Sequence, residues 1–215
     1  MNYINEEYVE KYILSILPES EEYLRKLEEY AKDFHIPIVE KEVAQLLKVL
    51  LKIAKPKKIL EIGTAIGYSA LIMASSTDDI CKITTIERRL DMVGLAKKNI
   101  DNTKYKDKIK ILYGEAEEIL PTLDEGFDFI FLDAAKGQYL GFFNKCMDIL
   151  PAEGVIVSDN VLFKGMVACD KLVVRRKKTI VKRLREYLDY ITHLEGYGTC
   201  IIPIGDGVAL TYKEE

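Results

Sequence analysis

Tryptophan is missing from this chain, and histidine occurs only twice, at His35 and His193. With so little imidazole, a histidine-ligated metal or a Ser-His-Asp triad has almost no material. The four cysteines, Cys81, Cys146, Cys169 and Cys200, lie far apart and form no C-x-x-C pair. Such spacing argues against zinc and reads as reduced, mostly buried thiols. No apolar run approaches the ~20 residues a membrane span needs. The N-terminal MNYINEEYVEKY is acidic and carries no signal-peptide core, so a cytoplasmic protein without a membrane partner is expected. Nor is there an excess of basic charge. The net charge is −4, and any nucleic-acid contact must come from a local patch.

What remains is ample for a core. The 215 residues, 48% of them hydrophobic, suit one α/β domain over 1–215, with a helical segment at 1–55 packed on it. Within 5–53, Tyr8, Tyr12, Leu14 and Leu17 form an apolar stripe that ends at Pro18. A polar, helix-forming run follows over Glu19–Lys32, and Val43–Ile53 is again periodic. Pro37, in HIPIVEKE, holds an extended link between them. This segment reads as a lid or a dimerisation surface.

From Lys57 onward strands and helices alternate, which predicts a doubly wound, mostly parallel sheet. Strands are expected at 58–62, 82–87, 108–113, 127–132 and 153–158, with helices near 68–75, 90–101, 115–120 and 138–149. The last stretch, TCIIPIGDGVALTYK, puts two apolar runs around Gly205-Asp206-Gly207 and predicts an antiparallel hairpin.

The chain is organised around Lys57–Ala74, KKILEIGTAIGYSALIMA, an apolar strand, a glycine turn and a helix. That geometry offers backbone N–H groups and a positive helix end to a ligand, although such turns also serve as plain chain reversals. A dinucleotide fingerprint needs glycine where Ala65 stands; the pattern is instead Glu61–Gly63–Gly67. A pyrophosphate gains little from Glu61, whereas an ammonium-bearing ligand gains a partner. That points to S-adenosylmethionine (SAM) rather than a nicotinamide.

Ligands of such sheets bind outside the carboxyl ends of the strands. Those ends carry Glu61, Glu87, Glu115, Asp133 and Asp159-Asn160. Carboxylates closing apolar strands are costly to bury alone, so a shared cationic ligand or metal is the economical account; helix capping is the alternative. Glu87 stands where these folds place an acid for ribose hydroxyls. Asp133, Asp159 and Asn160 supply hard oxygen donors suited to Mg²⁺, Mn²⁺ or Ca²⁺.

The blocks EIGTAIGYSA, TIE, GEAEEILP, FDFIFLDAAKGQY and GVIVSDNVLFKG together resemble the cation-dependent class I O-methyltransferases, which include catechol and caffeoyl-CoA enzymes. The resemblance runs from about Ile36 to Tyr212 and implies a Rossmann-like, seven-stranded sheet. It also implies that Glu61, Gly63, Tyr68 and Ser69 surround the methionine end of SAM, and that Glu87 takes the ribose. Glu115 and Ala116 would take the adenine, and Val39 would close over the cofactor. Asp133, Asp159 and Asn160 match the family's metal ligands, Asp133 lying against the cofactor as well. Lys136 matches its general base, and a homodimer is the implied assembly. A cation shared by two neighbouring oxygens favours acceptors such as a catechol, or an enol beside a carbonyl.

Lys171–Arg185, KLVVRRKKTIVKRLR, is strongly basic and contains no acid. It reads either as a solvated helix face, with Ile180, Val181 and Leu184 turned inward, or as a contact for an anionic partner. The short N-terminus, the IPI link and the IPIGDG hairpin resemble the bacterial members that methylate 5-hydroxyuridine in tRNA. That likeness makes an anticodon loop the expected partner, with Arg175, Arg176, Lys177 and Lys178 on its phosphates. Small phenols or CoA esters are the alternative acceptors, and a non-catalytic SAM-binding scaffold is a third reading. An aromatic wall for a flat acceptor must use Tyr or Phe, and Tyr139 and Phe163 are the candidates, with a place in the core the alternative for either.

Overall fold

The computed structural model describes residues 4–215; Met1–Tyr3 of the expected helical segment lie outside the described residues. Three helices come first: α1 (Glu7–Ile16), α2 (Glu22–Asp33) and α3 (Lys41–Ala54). Five parallel strands follow, β1 (Lys58–Ile62), β2 (Lys82–Glu87), β3 (Ile109–Tyr113), β4 (Phe129–Leu132) and β5 (Val155–Ser158). The helices between them are α4 (Tyr68–Ser75), α5 (Leu90–Asp101), α6 (Ala116–Ile119) and α7 (Tyr139–Ile149). After α8 (Lys178–Thr192), β6 (Tyr197–Ile202) and β7 (Val208–Lys213) form the antiparallel hairpin, and β7 pairs with β5.

The seven strands lie in the order β3-β2-β1-β4-β5-β7-β6. Strand order reverses between β1 and β4, where open α/β sheets leave a crevice at their carboxyl edge. Both faces of the sheet are covered, which is why its strands read as apolar runs rather than clean alternations. Phe129 and Phe131 of β4 pack with Val43, Leu47, Leu71 and Ala96 from α3, α4 and α5. Ile130 and Leu132 face the other way, onto Phe142 and Phe143 of α7 and Leu184 and Tyr187 of α8.

The elements fall close to their sequence-based bounds, with instructive departures. β4 and β5 begin at Phe129 and Val155 rather than 127 and 153. Phe127 instead donates to Ile149 O, and Glu153 has a positive φ of 63° that suits a turn. The basic run is only partly helical: 3₁₀ turns at Asp170–Leu172 and Arg175–Lys177 precede α8, which begins at Lys178 and runs on past the run to Thr192. Val181, Leu184, Tyr187 and Ile191 of α8 are buried, while Ile180 is only half-buried. α1 departs most: it buries no residue, and Tyr8, Tyr12 and Leu14 of its stripe are exposed, so only α2 and α3 pack on the sheet. Cys200 is exposed, unlike the buried Cys81 and Cys146. Among the described residues no helix is long and apolar enough to cross a membrane.

Candidate active site

Strand register builds the site. Ile62 pairs with Leu132, Leu132 with Ser158, and Ile62 with Ile86. The next residues, Gly63, Asp133, Asp159 and Glu87, therefore emerge side by side at the carboxyl edge. Gly63 has φ +109°, and a Cβ there would meet Asp133 O at 2.0 Å. Only glycine allows β1 and β4 to end this close together.

Glu61 is fully buried in β1. Thr85, its partner in register on β2, donates its hydroxyl to Glu61 Oε2 at 2.5 Å, and Thr85 shares a second hydrogen bond with Thr64. Glu61 Oε1 is buried with no hydrogen-bond partner of normal geometry among the described residues. Burial pushes the carboxyl up to about 7, against the hydroxyls of Ser69 and Thr85. A buried acceptor left open on a glycine turn is a place for a donor that the chain itself does not supply. Glu87, also buried, accepts from the N–H of Ala65 on Oε2 and of Arg89 on Oε1, each at 2.9 Å. Those bonds fix its carboxylate while leaving lone pairs for ligand hydroxyls.

Two adjoining clefts share Gly63, Glu87, Asp133 and Ala134. One, about 300 Å³, is lined by Glu115, Ala116 and Gln138 among others; its neighbour, about 220 Å³, by Val39, Tyr68, Ser69, Lys136 and Asn160. All the residues assigned to the methionine, ribose and adenine ends of a SAM molecule thus border one continuous groove, except Glu61, which lies buried beneath it.

At the other end of the groove, Asp133, Asp159 and Asn160 converge. Asp159 is buried, and its Oδ1 accepts from the Asn160 N–H at 2.7 Å. Burial raises Asp159 well above the usual carboxylate range, and the facing Asp133 adds to it. Burial also raises Asp133, against the pull of Lys136. The Lys136 ammonium donates to Asn160 Oδ1 at 2.6 Å and lies 4.0 Å from Asp133 Oδ1. A cation therefore already sits among these oxygens, and the donor set of two carboxylates and an amide suits a hard divalent ion. Among the described residues no three His, Cys, Asp or Glu side chains form a metal cluster, and the third donor of this set is the Asn160 amide.

The backbone beyond these residues is held from behind by the hairpin turn. Val161 donates to Gly207 O at 2.9 Å and Leu162 to Asp206 O at 3.0 Å. Asn160, Phe163 and Lys164 all adopt positive φ, a conformation that persists only where its surroundings impose it.

Residues 15–214 match the O-methyltransferase family. A caffeoyl-CoA O-methyltransferase of Stellaria longipes is 30% identical over 221 residues, spanning 95% of this chain and 90% of that one. The chain belongs to the SAM-dependent O-methyltransferases of the caffeoyl-CoA type. A Staphylococcus aureus protein provisionally assigned as a caffeoyl-CoA O-methyltransferase shares the methyltransferase fold with a TM-score of 0.90. It is 34% identical, with 96% of this chain and 100% of that one covered. TomG of Streptomyces achromogenes, an O-methyltransferase of tomaymycin synthesis solved with SAM, is 26% identical with a TM-score of 0.84, covering 97% and 96% of the two chains.

One candidate named for the methyltransferase's acceptor wall is excluded, and the basic run divides in two. Tyr139 is no acceptor wall: it is 1% exposed, donates to Asp159 O at 2.9 Å and packs edge-on against Tyr187. It props the strand end that carries Asp159. The basic run is also not uniform. Arg183 donates to Gly137 O at 3.2 Å, and Arg185 to Val167 O at 2.9 Å and Asp170 Oδ1 at 2.7 Å, so both are structural pins. Thr64, Thr85 and the Ala65 N–H were missed by sequence reasoning. The Glu61–Thr85 pairing left a signal, a polar residue at the same depth in each of two apolar strands.

Proposed function

We propose that this methyltransferase transfers the methyl group of SAM to the hydroxyl of 5-hydroxyuridine at the tRNA wobble position, giving 5-methoxyuridine. A divalent cation, Mg²⁺ above Mn²⁺ or Ca²⁺, is held by Asp133, Asp159 and Asn160. The donor reading rests on the groove, its open Glu61 acceptor and the SAM-bound relative.

One observation carries the acceptor. Arg175, Arg176 and Lys177 form a turn leading into Lys178, the first residue of α8. Cations at a helix N-terminus face the positive end of the dipole, an arrangement that costs energy until an anion arrives. Among the described residues none of Arg175, Arg176 and Lys178 has an ion-pair partner. Beside them lies a cavity of about 290 Å³ lined by Phe163, Lys164, Met166, Val174, Arg176 and Lys177. The Lys177 ammonium sits 5.5 Å from the Phe163 ring. Phe163 is the third residue after Asn160. A phosphate-rich chain with an unstacked base matches cations beside a half-buried aromatic that lines a cavity close in sequence to Asn160.

When bound, the cation favours ionisation of the acceptor hydroxyl. The chain's own residues do the rest. Lys136 Nζ, which lines the groove beside Asn160 and Asp133, is placed to receive the hydroxyl proton. Glu61 and Glu87 fix the two ends of the donor, and Val39 and Tyr68 keep water from its methyl side.

The Stellaria relative favours a second reading, a CoA ester whose phosphates meet the same cations. Nucleoside mass spectrometry of tRNA from cells lacking the gene separates them. Loss of 5-methoxyuridine with accumulation of 5-hydroxyuridine is expected; an unchanged nucleoside profile overturns the tRNA assignment.

A further inference from the structure

Glu28 lies on α2, outside the groove, yet its carboxylate joins three separate parts of the chain. Its Oε1 accepts from the Tyr68 hydroxyl at 2.8 Å and from Ser20 Oγ at 2.5 Å. Its Oε2 pairs with the Lys41 ammonium at 2.7 Å. The Glu28 side chain is 11% exposed, so these contacts are largely shielded from water. Its two charged-group oxygens are thus fully engaged by neighbours 8, 13 and 40 positions away in sequence.

Two of those neighbours lead into the donor groove. Tyr68 is the first residue of α4, follows the glycine turn directly and lines the cleft beside Ser69. Lys41 begins α3 and terminates the link that carries Pro37, Ile38 and Val39 into the same cleft. That link has no regular structure of its own, so its position depends on what holds its ends. Val39 is 4% exposed, although nothing regular on its own segment fixes it there.

We propose that Glu28 is a positioning residue for the methyl donor. One carboxylate aims the Tyr68 ring at the floor of the cleft and, through Lys41, holds the Pro37–Val39 link across its top. Floor and roof of the donor cleft are thereby set by the same side chain. Losing it loosens capture of SAM rather than the chemistry that follows. This role rests on the SAM reading of the groove.

The test uses the full-length protein and SAM itself, by calorimetry and by initial rates. Glu28→Gln keeps the shape but removes the charge that holds Lys41 and weakens the bond from Tyr68. SAM should bind about tenfold more weakly, about 1.4 kcal/mol. The rise should appear in KM for SAM, with kcat at saturating SAM within about twofold of the parent. Lys41→Met, on the exposed side of the network, should give a smaller KM effect and guards against misfolding of the first variant. Combining Glu28→Gln with Tyr68→Phe should cost no more than the worse single change, since both act through one bond. Unchanged SAM affinity in Glu28→Gln and Lys41→Met overturns the role, as does full additivity with Tyr68→Phe. A parent that fails to bind SAM removes the donor reading, and this role with it.

Discussion

Glu61 and Thr85 face each other in register across β1 and β2, with the threonine hydroxyl on one carboxylate oxygen and the other oxygen buried without a hydrogen-bond partner of normal geometry among the described residues. The pair is satisfied on one side and open on the other. A carboxyl kept in that state is costly to ionise until a cationic group reaches it.

The consequence is a pH dependence of opposite sign for stability and for donor binding. The Glu61 carboxyl is raised from 4.5 to about 7, so the folded protein holds this proton more tightly than the unfolded chain does. Ligand-free stability should therefore fall as pH rises from 4.5 through 7. Binding of an ammonium-bearing donor needs the ionised form, so SAM affinity should rise over the upper part of that window, by at most about tenfold per pH unit. Glu61→Gln should lessen the fall in stability, part of which comes from Glu40, Asp133 and Asp159, also raised by burial, and should abolish tight SAM binding and raise the ligand-free melting temperature at pH 8. Thermal melts and calorimetric titrations from pH 6 to 8 check this; a variant less stable than the parent at pH 8 would contradict it.

Gly63→Ala tests the closeness of β1 and β4. A methyl group 2.0 Å from Asp133 O at φ +109° cannot be accommodated without moving one strand end. A loss of about 2–4 kcal/mol in urea unfolding is expected, together with loss of SAM binding. Parent-like stability would mean that the two strand ends can part freely.

Asp159→Asn separates the metal reading from helix capping. It removes one of two facing carboxylates whose mutual repulsion and burial already disfavour ionisation. The variant should fold at least as well as the parent at pH 8, but Mg²⁺ should no longer raise its melting temperature. Methyl transfer by the parent should stop in EDTA and resume with Mg²⁺ or Mn²⁺. Full activity after rigorous chelation would falsify the cation assignment.

How much of this was readable from the chain depended on sequence distance. Strand ends such as Leu132-Asp133 and Ser158-Asp159 were legible because an apolar run stopped by an acid is a local pattern. Glu28 was not legible: a glutamate in a polar helical run looks solvated, and its link to Tyr68 exists only after α2 and α4 pack. The rest of α8 was overlooked because its buried positions, Tyr187 and Ile191, are spaced among acids and other tyrosines. Tyr139 misled for a related reason, since a tyrosine beside a site serves equally well as a wall or a hidden prop. α1 shows a clear apolar stripe, yet Tyr8, Tyr12 and Leu14 on it are exposed, so periodicity alone did not reveal what the stripe faces.

The basic turn before α8 predicts a salt signature. Replacing Arg175, Arg176, Lys177 and Lys178 with Gln should raise KM for hydroxylated tRNA strongly and flatten the salt dependence of binding, by roughly one unit of slope per lost phosphate contact. SAM affinity and methylation of free catechol should stay near parent values. Equal tRNA methylation by parent and variant at every salt concentration would show that this turn is not the docking surface.

The most direct measurement pairs two acceptors with one enzyme preparation. Methyl transfer from labelled SAM is followed to tRNA carrying 5-hydroxyuridine and, in parallel, to caffeoyl-CoA, with Mg²⁺ present and with EDTA. The account predicts Mg²⁺-dependent label in tRNA, recovered as 5-methoxyuridine, at a kcat/KM well above that for the CoA ester. Label entering caffeoyl-CoA but not hydroxylated tRNA would contradict it.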